Sequence, residues 1–217
     1  MYKGCNFLFF NLKYGNDNIS KQKTHYRVLV NMDDVPKIGI TGMPSVGKTQ
    51  TLVKIIESLE KHGYSVEGMI TEPIIEKKKR VGFYVTDWQT REKEVFAHVD
   101  FDTKEKVGEY GVDINALEKI GIPAIEKAIL DEEINIIIID EIGKMEMLSE
   151  KFCEMVTEAL DSDKPIMVTL HKKSRTPLLQ DVRRRDDIRI LEVTAVNRNL
   201  LPYKIEKIMA EKLPPLF

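Results

Sequence analysis

Eight residues near the front of the chain, Gly42-Met43-Pro44-Ser45-Val46-Gly47-Lys48-Thr49, carry the spacing G-x-x-x-x-G-K-[ST]. Two glycines at that separation let a backbone turn tightly and point its N–H groups at an anion, so the segment is expected to hold phosphate. Lys48 would reach the terminal phosphates and the Thr49 hydroxyl would bind Mg2+. A second group lies almost a hundred residues on, in Asp140-Glu141-Ile142-Gly143-Lys144. Asp140 fits the second contact to the metal, usually through water. Glu141, the next carboxylate, could orient and deprotonate a water in line with the terminal phosphate. A solvated acidic turn is the plainer reading of an Asp-Glu pair, but here the pair follows an apolar strand and a phosphate loop, which favours chemistry.

These residues need elements to hold them. Lys37–Thr41 reads as a short buried strand, and Thr49–Lys61 places Leu52, Ile55, Ile56 and Leu59 on one helical face. The loop therefore opens a helix, whose N-terminal partial charge favours phosphate. Ile134–Ile139 is apolar on both alternating faces, as in the centre of a parallel sheet, and Asp140 follows at its carboxyl end, where such sheets bind ligands. Ser65–Thr71, Pro165–Leu170 and Ile188–Val193 read as further strands. Met147–Leu160, Pro177–Val182 and Leu200–Lys212 read as helices, and Asn115–Leu130 as a helix broken by Gly121 and Pro123. The β–α alternation predicts a doubly wound, mostly parallel α/β sheet flanked by helices. Val81–Asp87 and Glu94–Val99 predict an appended antiparallel hairpin with Trp88 at its tip, preceded by a polar turn over Glu76–Arg80.

The chain has 217 residues, 42% of them hydrophobic, enough for one core without disulfides or structural metal. Residues 36–217 are read as a single domain. Residues 1–35 stand apart as an added edge strand over Tyr26–Val30, a disordered tail, or sequence upstream of a true start at Met32. Lys and Arg number 33 against 35 Asp and Glu, which gives no support for an obligate nucleic-acid or membrane partner. No apolar run is long enough for a membrane span, and two cysteines suit a reducing cytoplasmic compartment. A monomer is the default.

Asp140–Gly143 also spells D-x-x-G, a switch element of GTP-binding proteins, but no guanine-reading N-K-x-D accompanies it. Asn197-Arg198-Asn199 is the nearest segment, and Arg198 could stack on a base without reading its edge. Arg183-Arg184-Arg185 could supply a transition-state charge or form a solvated run paired with Asp186 and Asp187. Lys144 is a comparable candidate. His171 with Lys172 and Lys173 ends a strand and could face the site, with a surface turn the plainer reading, and Met147, Cys153 and Met155 read as core.

Three segments, GMPSVGKTQTL, IIIIDEIGKMEMLS and VTAVNRNLLP, resemble the signatures of the nucleoside-triphosphatase family of thermophilic archaea and bacteria, whose vertebrate member is the cancer-related nucleoside triphosphatase. The likeness runs from about Lys37 to Pro202 and leaves residues 1–35 uncovered. It implies a P-loop fold and Mg2+-dependent hydrolysis of ATP, GTP and other nucleoside triphosphates. Carried onto this sequence, it assigns nucleotide binding to Gly42–Thr49 and to Asp140, Glu141, Gly143 and Lys144. Ser45 departs from the glycine common in such loops, and serine serves there if its φ is negative. Two other readings keep the same loop: a nucleotide or small-molecule kinase using the arginine run and the hairpin to bind an acceptor, and a nucleotide-dependent switch. Glu141 favours hydrolysis, because an acceptor would compete with the water it activates.

Overall fold

The computed structural model describes residues 35–213, so the N-terminal segment lies outside the described residues. Its centre is a nine-stranded sheet in the order β5-β6-β4-β3-β2-β7-β8-β1-β9. The strands are β1 (Lys37–Gly42), β2 (Val66–Glu76), β3 (Lys79–Asp87), β4 (Lys93–His98), β5 (Lys106–Val107), β6 (Tyr110–Val112), β7 (Ile136–Ile142), β8 (Ile166–His171) and β9 (Ile188–Val193). From β2 through β7, β8 and β1 to β9 every pairing is parallel. From β2 outward to β5 every pairing is antiparallel.

Strand periodicity explains why helices cover both faces of the parallel half. In β7, Ile137 and Ile139 point to one side and Ile136 and Ile138 to the other, and all four are fully buried. The first pair packs with α3 (Ile122–Leu130), α4 (Glu150–Asp161) and α5 (Pro177–Arg184) through Ile125, Phe152, Val156 and Leu179. The second packs with α1 (Lys48–Lys61) and α6 (Leu201–Ala210) through Leu52, Ile56, Ile205 and Met209. Each fully buried Leu or Ile is worth about 1.5–3 kcal/mol by transfer, so this double-sided core holds the sheet that positions the site.

Several local expectations change. β2 does not stop near Thr71 but runs to Glu76, and a tight turn at Lys77 and Lys78, both at positive φ, returns it as β3. The expected hairpin is β3–β4, joined to the parallel half through this longer β2. Trp88 leaves the hairpin tip for the core, where its Nε1 donates to Glu60 Oε1 of α1 at 2.7 Å and Arg91 lies 3.7 Å over its ring. The helix broken at Gly121 and Pro123 is one run, formed by α2 (Ile114–Ala116), a wide π turn over Leu117–Gly121, and α3 with Pro123 in its first turn. The π turn absorbs one extra residue and interrupts the regular hydrogen-bond ladder just before Pro123, where proline supplies no N–H. The helix expected from Met147 starts at Glu150, because Ser149 Oγ accepts the Phe152 N–H at 3.1 Å and caps it there. A 3-10 turn, Glu146–Leu148, precedes it.

Candidate active site

The loop Gly42–Gly47 links β1 to α1, as its spacing predicts. Gly47 sits at φ 107°, and at Gly42 a Cβ would meet the Val193 carbonyl and Val46 Cγ1 at 2.8 Å. Neither position accepts a side chain without strain. Ser45 differs from expectation, since its φ is 61°. The loop needs a left-handed residue there, and serine adopts it at a cost of about 1–2 kcal/mol. α1 opens with no side-chain cap, which leaves first-turn N–H groups available to an anion.

β8 lies between β1, which carries the loop, and β7, which carries the acids. Asp140 is fully buried at the end of β7. The Thr49 hydroxyl donates to its Oδ2 at 2.7 Å, and the hydroxyl of Thr169 on β8 donates to Oδ1. Burial pushes the Asp140 carboxyl up to about 6, the nearby Glu141 charge adds to this, and the two hydroxyls oppose it. Lys48 Nζ lies 3.0 Å from Glu141 Oε2, with both side chains largely buried. Residues remote in sequence thus converge on one place.

A cleft of about 230 Å3 opens over this cluster, lined by Gly42, Pro44, Ser45 and Lys48 from the loop and its helix start, by Glu141 of β7, and by Gly143, Lys144, Met145 and Glu146 from the segment after β7. Met43, Val46, Gly47 and Thr49 do not line it. A second cavity of about 260 Å3, on the α1 side of the loop, brings Arg198 and Asn199 together with Gly47, Gln50, Thr51 and Lys54. Asn197 is spent on its own turn, accepting the Thr194 N–H at 2.8 Å and donating to the Glu192 carbonyl at 2.8 Å. Arg198 is exposed, with its guanidinium free to stack.

Two groups escaped sequence reasoning, and a third was read towards the wrong alternative. Thr169 could have been suspected as a lone hydroxyl inside the apolar run IMVTL. Glu146 is buried, and desolvation first, then the charge of Glu141, push its carboxyl up to about 8. Its Oε2 and Glu141 Oε1 flank the same point above Gly143, 2.6 and 3.2 Å from where a Cβ would stand. His171, read as part of a surface turn, lines the cleft with Lys172 and Lys173 at the end of β8. Its Nδ1 accepts the Ser174 N–H at 3.1 Å, and burial lowers its basicity.

The arginine run sits elsewhere. Arg183 donates to the carbonyls of Ser174 (2.7 Å) and His171 (2.6 Å), Arg184 pairs with Asp181, and Arg185 clamps Asp161 and Asp187. None of the three lines the cleft. Their carboxylate partners are Asp161, Asp181 and Asp187, so Asp186 is not among them. Met147 and Met155 pack at the core margin, and Cys153 is half-buried and free of any disulfide.

Comparison with known proteins gives the family. The model of the NTPase family matches residues 37–206. The chain belongs to this NTPase family. Nucleoside-triphosphatase THEP1 of Picrophilus torridus is 39% identical over 80% of this chain and 95% of its own length. THEP1 of Methanocaldococcus jannaschii is 48% identical over 63% of this chain and 78% of its own. Among solved structures, THEP1 from Aquifex aeolicus superposes with a TM-score of 0.70 at 32% identity, covering 80% of this chain and 98% of that one. A human cancer-related nucleoside triphosphatase superposes at 0.71 and 28%, covering 83% and 100%. The fold of this NTPase is therefore the P-loop α/β fold with an antiparallel extension.

Proposed function

We propose that the protein hydrolyses nucleoside triphosphates to diphosphate and phosphate with Mg2+ and with little preference among bases. The observation that carries this reading is the pairing of Lys48 with Glu141 in the cleft, at 3.0 Å, beside that of Thr49 with the fully buried Asp140, at 2.7 Å. A triphosphate whose β and γ oxygens take Lys48 frees Glu141 to accept a proton from the attacking water. Lys48 then stabilises the charge that grows on the leaving diphosphate.

Among the described residues no group of three acidic, His or Cys side chains could enclose a metal. A hydroxyl and a single carboxylate are nevertheless the hard-oxygen, sparse donor set from which Mg2+ is bound when phosphates and water complete its sphere. Thr49 and Asp140 would hold it, and it would supply charge neutralisation at the β and γ phosphates. Base tolerance is supported by the cavity beside Arg198, where the amide of Asn197 is already consumed by its own backbone bonds.

Loop, acids and base cavity hang on one continuous sheet, which supports reading 36–217 as a single domain acting on a small-molecule substrate. A monomer with no obligate nucleic-acid partner remains the proposal, from the near balance of 33 Lys and Arg against 35 Asp and Glu. No helix among the described residues is long and apolar enough to cross a membrane. The free thiol of Cys153 supports a reducing, cytoplasmic setting. The test is phosphate release from ATP, GTP, CTP and UTP with Mg2+ and with a chelator. Values of kcat/KM within about tenfold, or about 1.4 kcal/mol, are expected across the four. A thousandfold preference overturns base tolerance, and no release from any of them overturns hydrolysis.

A further inference from the structure

Hydrolysis asks for one water beside the terminal phosphate, a cavity volume of about 10–15 Å3. The cleft offers about 230 Å3. The excess is built by the antiparallel half of the sheet, which contributes Thr71, Arg80, Phe83, Val107 and Tyr110 to the wall facing the loop. The base-side cavity lies at the other end of the loop, with Gly47, Gln50 and Arg198. A triphosphate with its base at Arg198 and its terminal phosphate at Lys48 fills the loop side of this cleft and leaves the side walled by Thr71, Arg80, Phe83, Val107 and Tyr110 facing that phosphate.

The chemistry of the wall is specific. Phe83 and Tyr110 meet edge to face at 5.4 Å and form an apolar corner, and the Arg80 guanidinium lies 5.0 Å over the Phe83 ring. Lys144 and Lys173 reach the rim, exposed and without an ion pair among the described residues. Lys172 is paired with Glu192. Two acids also line the cleft; Glu146 is buried, and Glu141, which the bound triphosphate frees from Lys48, is the one carboxylate set against the cations Lys144 and Lys173. Aromatic faces beside unpaired cations suit a planar ring that carries a phosphate.

We propose that this cleft binds a nucleoside monophosphate as a second substrate and that the γ-phosphoryl group passes to its phosphate. A monophosphate oxygen, already unprotonated as the dianion, forms the new P–O bond while the bond from Pγ to the β–γ bridging oxygen breaks. The bridging oxygen keeps the electron pair and leaves on the diphosphate beside Lys48. Triphosphate and monophosphate give two diphosphates, and no water or proton is consumed. The inference rests on the placement of the triphosphate proposed above and goes beyond hydrolysis by naming an acceptor.

The experiment uses the full chain with γ-labelled ATP and Mg2+, alone and with AMP, GMP, CMP or UMP, and separates labelled diphosphate from labelled phosphate. With at least one monophosphate the label is expected in its diphosphate, with free phosphate falling as transfer rises. Arg80→Ala and the milder Phe83→Leu are each expected to cut transfer at least tenfold, chiefly by raising the acceptor KM. Phosphate release without acceptor should stay within about twofold of wild type, with unchanged circular dichroism. Free phosphate with no labelled diphosphate for any acceptor overturns the transfer and leaves hydrolysis standing. So does calorimetric binding of a monophosphate without transfer. Transfer that survives both substitutions overturns the assignment to this cleft, whereas no label leaving ATP in any arm is the failure of the hydrolytic reading.

Discussion

Glu141 and Glu146 share one corner of the cleft, yet their surroundings divide their work. Glu141, about one quarter exposed, pairs with Lys48 and faces the cleft where an attacking water would stand. Glu141→Gln keeps the shape and removes the base, so ATP with Mg2+ should bind about as in wild type while phosphate release falls roughly 10²-fold or more. Hydrolysis at the wild-type rate would remove Glu141 from catalysis. Glu146 is the opposite case, a buried carboxyl with its proton held up to about 8 against an ordinary value of 4.5. Between those two pH values the folded chain keeps a proton that the unfolded chain has released, so stability is lost as pH rises through the window. Glu146→Gln should remove part of that slope, on the order of a few kcal/mol between pH 5 and 8 in metal-free buffer. Asp140, raised to about 6, contributes a slope of the same sign that remains in the variant. Parallel Tm profiles for variant and wild type would show that Glu146 does not hold its proton. The loop, Lys48, Thr49, Asp140 and Glu141 were legible in sequence because a fixed spacing and a strand-end position declare them. Glu146 was not, since its burial depends on a 3-10 turn folding it back beneath Gly143.

The turn after β8 shows how an element borrows its shape from elsewhere. His171, Lys172 and Lys173 line the cleft because the following four-residue turn is held by Arg183 of α5, whose Nη2 also reaches the Lys172 carbonyl at 3.3 Å. A planar guanidinium can bridge carbonyls that a single ammonium cannot. Arg183→Met and Arg183→Lys should both destabilise by about 1 kcal/mol, a Tm fall of about 2–4 °C for a chain this size. Full stability in the lysine variant would show that charge, and not the fork, holds the turn. The arginine run read alone suggested a catalytic charge, because sequence shows the cations but not the carbonyls of a turn twelve residues upstream. Most elements were legible: β9 falls on Ile188–Val193 as its pattern indicates, and α1 on its apolar stripe. The misjudged boundaries lie where a local rule was hidden by periodicity, as at Ser149, whose cap overrides the apolar spacing of Met147.

At the scale of the molecule, alternation of strands and helices announces a parallel sheet, but strand order is set by pairing across long separations. That β8 separates β1 from β7, and so lets Thr169 reach Asp140, could not be read from the chain. The same order bears on the N-terminal segment. β1 is hydrogen-bonded on both sides, to β8 and β9, and its start is fixed by the bond from Ile166 N–H to the Pro36 carbonyl and by Lys37, which donates to the Leu160 carbonyl at 2.6 Å and pairs with Asp187 at 2.9 Å. A strand over Tyr26–Val30 could join the sheet only at an outer edge, β5 or β9. Every site residue lies downstream of Lys37, and each bond just named survives in a chain that begins at Met32. Such a chain should melt within about 3 °C of the full protein, less than about 1 kcal/mol at this size, and hydrolyse ATP with the same kcat/KM. A Tm lower by 10 °C or more would show that residues 1–31 complete one of those edges and belong to the domain.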